Sequence, residues 1–546
     1  MSKRLIIFFV IIFLAFALRI IGLGSRPVGF TWDEAALGYN AYSLLQTGKD
    51  EYGVTSPLVF RSFGDYKPGL YVYFTVPSVA IFGLNEFATR LPSAIFGSLL
   101  VGLVFVLTRY LFPENESRAH YFAMIVSAFN PWLLNFSRGA WEANLSLLLT
   151  VLAATLFIRN TIRNQQNPIT NLLPFLFFGL TFWSYQSAKL MTPLVIFSLV
   201  IVYLRQIQPK KLITPFILLF VLLLPILINL GSQSGRLKVF SVFSYQRQPA
   251  DVEEILRQDN TQNKDLIYYV FHSEISDQLK GVFQRYLNHL SPRFLFSEGD
   301  WTNTRHGVFR QAYFYYTDLI LIAIGLIYLI KTKSRSLALL LLWIVISPIP
   351  SALSRDLVSG VRSLSLSVPL CIISGLGLSI LVKRKFFFIP VAAVAAFLMV
   401  YYAEFYVFHQ GFYSGQDWIY PYAPAFNVIK NEYPNYSKIY FTDKLGQPYI
   451  FALFYLKFDP AVYQTQATLL QDQSGDVGQV TQFDKFRFGP VFWPSLRGER
   501  DALFIGGQYE LPEQDLVGIP GLSRISDINY PDGTHALRIV GIKKYE

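Results

Sequence analysis

The sequence predicts an α-helical polytopic membrane protein with about eleven spans, followed by a soluble α/β domain. Three observations carry this. The 546 residues are 52% hydrophobic and only 15% charged, too apolar for a water-soluble chain of that length. Apolar runs of roughly 15 to 22 residues recur as far as about residue 407, and each can cross a hydrocarbon layer about 30 Å thick as a helix. After Tyr401 the pattern changes to short β-rich runs between polar, Gly- and Pro-containing stretches.

Taken in order, the apolar runs place candidate spans near 5–23, 90–112, 119–135, 142–158, 172–187, 191–205, 212–230, 317–331, 337–352, 364–382 and 386–407. The first resembles a signal peptide in its Lys3-Arg4 head. Its apolar stretch is too long for one and no small-residue cleavage site follows, so it reads as an uncleaved span. Cys371 is the only cysteine and lies inside an apolar run, which excludes an intramolecular disulfide or a thiolate cluster and suits a small core residue.

The apolar stretch Leu70 to Leu84 is ambiguous, and the positive-inside rule decides it. With 70–84 lying along the membrane surface, Lys3-Arg4, Arg109, Arg118, Arg159, Arg163, Arg205, Lys210-Lys211, Lys331, Lys333, Arg335 and Lys383 to Lys385 all fall on the cytoplasmic side. The short external turns then keep only Arg138, Lys189, Arg355 and Arg362. Letting 70–84 cross breaks this bias in one half of the protein. We therefore expect it to be juxtamembrane, with Pro77 as a mild helix breaker.

The expected division is a transmembrane unit over 1–407, with external loops 24–89 and 231–316, and an extracytoplasmic α/β domain over 408–546. Strands are expected at Lys438 to Thr442, Tyr449 to Leu453 and Ala536 to Val540. The net charge of +11 does not indicate nucleic acid, because the basic residues sit singly or in short clusters between spans, where they act as orientation signals.

This topology gathers the polar residues that could do chemistry on one face. Thr31-Trp32-Asp33-Glu34 stands about a dozen residues beyond the first span. It is read two ways: as a helix cap, or as an ionised acid placed to take a proton from an acceptor hydroxyl, with Glu34 beside it as a substrate contact. Gly64-Asp65-Tyr66-Lys67-Pro68 follows. Lys67 suits either a phosphate, bound as a point charge, or snorkelling to the interface.

Arg138 and Glu142 flank Trp141; they either pair with each other or leave Glu142 to orient a sugar hydroxyl or ligate a cation. The stretch Ser291 to Gly307 offers Arg305 and His306, the latter as a metal ligand, a phosphate donor or a structural residue. Arg355-Asp356 and Arg362 suit anion binding or anchoring, and Tyr185, Gln186 and Lys189 complete a polar rim. No Walker loop, zinc-protease helix or dinucleotide fingerprint occurs, so the substrate is expected to arrive from outside or from the bilayer.

In order along the chain, Asp33-Glu34, Asp65 to Pro68, Ala88-Thr89-Arg90-Leu91-Pro92, Arg138 to Glu142 and Ser291 to Gly307 resemble the GT-C glycosyltransferases of family 39. That family includes protein O-mannosyltransferases and the aminoarabinose transferase of lipid A. The likeness covers roughly residues 1–407 of this chain. It implies a GT-C fold and an inverting transfer of a sugar from a polyprenyl phosphate to an acceptor on the external face, with Asp33 as general base. Lys67 and nearby cations would stabilise the departing phosphate, and Arg90 would brace the first loop. Tyr66 stands where the aminoarabinose branch carries a metal-binding glutamate, so a divalent cation is left open, with Glu142 and His306 as its candidate ligands.

The expectation is a multi-pass plasma-membrane glycosyltransferase whose site and C-terminal domain are extracytoplasmic. Its partners would be membrane lipids, a polyprenyl-phosphate-linked sugar and a lipid, protein or glycan acceptor. Two alternatives stand beside it: an oligosaccharide or O-antigen ligase, and a lipid or sugar transporter without catalysis. A transporter is expected to carry ionisable groups near mid-membrane, whereas the charges here cluster at one surface.

Overall fold

The computed structural model describes residues 3–63, 65–113, 118–228, 243, 247–261, 263–466, 469–471 and 478–544. Much of the first part of the expected 231–316 loop therefore lies outside the described residues.

Helices dominate as far as residue 414. Among the described residues, six helical stretches are at least 18 residues long and apolar enough to cross a membrane. They are Glu86–Leu111, Glu142–Ile162, Pro209–Ile228, Arg335–Ala352, Leu364–Leu381 and Lys385–Ser414. Shorter apolar helices occupy Leu70–Phe82, Ala119–Phe129, Pro168–Thr181 and Ala188–Tyr203. Helices Lys3–Ile20 and Tyr316–Thr332 fall on two further expected spans.

The expected 119–135 span is broken at Asn130, whose side chain caps Leu133 N at 3.0 Å with Pro131 in the first turn of the Pro131–Phe136 helix. Pro77 does not end the Leu70–Phe82 helix but lies within it. Tyr316–Thr332, Leu364–Leu381 and Ala119–Phe129 pack closely. Any side chain at Gly325 would strike the Ile373 carbonyl, and any at Gly377 would strike Leu321. Small residues here let backbones approach where lipid supplies no hydrophobic drive.

A short hairpin pairs β1 (Val59–Ser62) with β2 (Asp65–Pro68), setting Phe60 opposite Lys67. Beyond residue 437 a six-stranded sheet has the order β6-β7-β3-β8-β10-β9. Its strands are β3 (Lys438–Phe441), β6 (Gln482–Phe483), β7 (Phe486–Phe488), β8 (Ala502–Gly506), β9 (Leu522–Asn529) and β10 (His535–Ile542), while β4 (Leu469–Gln471) and β5 (Gly478–Val480) form a separate pair. Strand β3 runs parallel to β7 and β8, and the remaining pairings are antiparallel.

Two of the three expected strands are present, as β3 and β10. The third, Tyr449 to Leu453, is instead part of the helix Pro448–Tyr455. Pro448 starts that helix, and residues 448–454 are buried on every side. An apolar run enclosed all round has no period that separates strand from helix. This helix and Pro460–Gln466 pack on the N-terminal helix Trp32–Thr47, so the sheet domain and the first loop share one core.

Candidate active site

Thr31 caps the Trp32–Thr47 helix: its hydroxyl accepts from Glu34 N at 3.3 Å and Glu34 Oε2 accepts from Thr31 N at 3.2 Å. Both acids of the motif thus occupy the first turn, where the helix dipole favours negative charge. Their side chains then diverge. The Asp33 carboxylate is half exposed and forms an ion pair with the largely buried Lys67 ammonium from β2. Lys67 also lies 5.0 Å from the centre of the Phe63 ring.

Glu34, expected to touch substrate, is buried. Its oxygens accept from Arg90 Nε at 2.8 Å and Nη2 at 3.0 Å, and Oε1 also accepts from Ala140 N at 2.9 Å. Arg90 donates further to the carbonyls of Leu23 and Pro27 at 3.3 and 3.2 Å. This bidentate pair joins the first loop, the Glu86–Leu111 helix and the 138–142 turn, a packing role for Glu34 that the sequence alone does not disclose.

Arg138 does not turn towards Glu142. It donates to the Leu18 and Ile21 carbonyls at 2.6 and 2.7 Å, closing the C-terminal end of the first helix, and to Tyr406 Oη at 3.0 Å. Glu142 opens the Glu142–Ile162 helix. Gln186 donates to the Tyr66 carbonyl at 2.7 Å, which ties the rim to the Lys67 strand, and Lys189 begins the next helix. Gly64 and the side chain of Asp65 lie outside the described residues.

The Ser291 to Gly307 stretch reaches the same region. Arg305 lies 5.9 Å from the Trp32 ring, next to Asp33. His306 is buried with Nδ1 2.7 Å from Asp300 Oδ2 and its ring 5.6 Å from Trp141. Burial works against the Asp300 charge, yet donors from His306, Thr302 and Gly360 hold its carboxyl below the usual range. No group of three His, Cys, Asp or Glu side chains that could hold a metal occurs among the described residues. His306 and Asp300 alone do not make a metal cage, and Glu142 does not join them in one. Arg362 stands apart, paired with Asp356 and 3.3 Å from Ser354 Oγ.

Two features escaped sequence reasoning. One is Asp300 as the partner of His306. The other is Glu51, fully buried at the seam between the first loop and the sheet domain. The acidic pair Asp50-Glu51 in the first loop is the available signal. Burial, helped by the Asp50 charge and opposed by Asn40 and Lys67, pushes the Glu51 carboxyl up to about 8.

The architecture matches that of GT-C glycosyltransferases. The crystal structure of ArnT from Cupriavidus metallidurans in the apo state superposes with a TM-score of 0.56 at 12% identity, covering 100% of both chains. The same protein bound to undecaprenyl phosphate gives 0.53 at 12% identity, over 99% of this chain and 98% of that one. At the level of sequence, residues 66–229 match the family described as dolichyl-phosphate-mannose-protein mannosyltransferase. Among curated proteins, none matches the chain. The resemblance read from the sequence therefore holds, and the protein is a membrane protein with the GT-C fold.

Proposed function

We propose that the protein transfers a sugar from a polyprenyl-phosphate donor to an acceptor hydroxyl at the extracytoplasmic face, with inversion. The observation that carries this reading is the Asp33–Lys67 pair, which sets a half-exposed carboxylate against a cation at the head of the first-loop helix. Asp33 takes the proton of the acceptor hydroxyl as that oxygen attacks the sugar's anomeric carbon from the side opposite the phosphate. The bond from that carbon to the phosphate oxygen breaks, and the electron pair leaves with the polyprenyl phosphate. Lys67 then pairs with the charge gained by the phosphate, and Arg305 adds a second cation above Trp32. Glu34 and Arg90 hold the Asp33 turn in place without touching the reactants.

The undecaprenyl phosphate held by the structurally similar ArnT and the family match over 66–229 support a lipid-linked donor here. The orientation of this face away from the cytoplasm rests on the distribution of Lys and Arg among the loops, and the boundary between membrane unit and outer domain near residue 407 is part of the same proposal. The test is Asp33→Asn, assayed for sugar transfer from polyprenyl-phosphate donors in liposomes. A fall of about 10²- to 10⁴-fold is expected for loss of a general base. Unchanged turnover removes Asp33 from the chemistry.

A further inference from the structure

The first loop carries a second acid that the transfer chemistry above does not use. Glu51 is fully buried, and neither carboxylate oxygen meets a hydrogen-bond donor among the described residues. Asn40 holds the Glu51 backbone, its Oδ1 accepting from the Glu51 amide at 3.0 Å, while its Nδ2 donates to the Ala36 carbonyl at 2.9 Å.

Tyrosines surround this carboxyl. Tyr39 and Tyr52 come from the first loop, next to Asn40 and Glu51 in the chain, and Tyr449 and Tyr463 come from the sheet domain. Tyr52 and Tyr449 join their hydroxyls at 3.2 Å, the Tyr449 and Tyr463 rings stack at 6.5 Å, and Tyr39 meets Tyr463 edge-on at 6.3 Å. Tyr463 Oη, also fully buried, has no hydrogen-bond partner among the described residues.

A buried acid and a buried phenol without partners need an explanation, because native interiors satisfy nearly all such groups. Packing does not provide one, since an apolar residue would fill the same space without the loss. The missing partner must both donate and accept, because a carboxyl that keeps its proton and a phenol each carry an O–H and lone pairs. A polyol does both and also suits a wall of tyrosine rings. Lys67 lies 5.0 Å from the Phe63 ring, and that ring meets Tyr449 edge-on at 6.0 Å, so the cluster adjoins the cation assigned above to the phosphate.

We infer that Glu51 and Tyr463, framed by Tyr39, Tyr52 and Tyr449, form a subsite for the hydroxyl groups of the donor sugar beside the phosphate-binding Lys67. This rests on the transferase reading and adds to it the group that distinguishes a loaded lipid carrier from an empty one. The subsite lies in the seam between the first loop and the helices of the sheet domain.

The test uses the whole protein in detergent, binding either bare polyprenyl phosphate or polyprenyl phosphate carrying mannose, glucose or aminoarabinose. Wild type is compared with Glu51→Gln and Tyr463→Phe, two near-isosteric changes, and thermal unfolding checks that each variant folds. At least one loaded carrier is expected to bind wild type more tightly than the bare one. Each variant is expected to weaken that loaded carrier by about tenfold, the loss of one hydrogen bond to a charged or buried group, with bare-carrier binding unchanged. Equal weakening of bare and loaded carriers, or no change in either, overturns the inference; the second result leaves only water in the seam. Wild type that binds no carrier at all overturns the transferase reading instead.

Discussion

Glu34 holds Arg90 through both carboxylate oxygens, at 2.8 and 3.0 Å, in a place where each side chain is buried. A buried charge left alone is strongly unfavourable. Replacing Arg90 with Met is therefore expected to cost about 3–5 kcal/mol, read as a lower unfolding temperature in detergent. Glu34→Gln keeps the shape and part of the hydrogen bonding, so its loss is expected to be smaller.

Lys67 is expected to behave differently, because its partner Asp33 is half exposed and water can solvate the carboxylate left behind. Lys67→Met should leave the unfolding temperature close to wild type. It should weaken polyprenyl-phosphate binding by about 1.5–3 kcal/mol, the usual worth of a hydrogen bond to a charged group. Lys67→Arg should recover part of the affinity. Unaltered binding in Lys67→Met would show that the ammonium does not meet the phosphate.

Stability should depend on pH through Glu51. Its carboxyl is raised from 4.5 to about 8 in the folded protein. Between those values the folded form keeps a proton that the unfolded chain has released, so this contribution is complete below about 4.5 and is lost as pH climbs to about 8. Thermal unfolding in detergent across that range should show a falling midpoint, and Glu51→Gln should flatten the fall. An identical slope in the variant would mean that Glu51 is ionised throughout.

Gly38 sets how closely the first-loop helix approaches the sheet domain. A Cβ there would lie 2.7 Å from the Phe454 ring and 2.5 Å from Thr89 Oγ1. Gly38→Val is expected to destabilise the protein by about 1–3 kcal/mol through overpacking, measured as a lower unfolding temperature. A midpoint at or above that of wild type would show that the seam yields without strain.

Much of this architecture could be read before any coordinates. Runs such as Glu142 to Ile162 are long and apolar enough to leave no choice but a helix. The Tyr449 run was lost because complete burial removes the pattern that distinguishes a strand from a helix. Asp33 and Lys67 stood out as charges without an apolar purpose, but their pairing needs the β1–β2 turn to bring them together. The same view assigned Glu34 to substrate, since nothing local to it announces Arg90, far along the chain. Glu51 was harder still: its environment is built from Tyr449 and Tyr463, residues that only tertiary closure brings near it.

Strand β10 follows every other strand in the chain, yet it inserts between β8 and β9 in the finished sheet. A growing polypeptide therefore has to hold β8 and β9 in waiting, although the helices that cover Trp32–Thr47 have already been made. A nonsense codon shortly before residue 535 should thus leave those two strands with nothing between them and loosen the sheet half of the shared core, while every membrane helix is already in place.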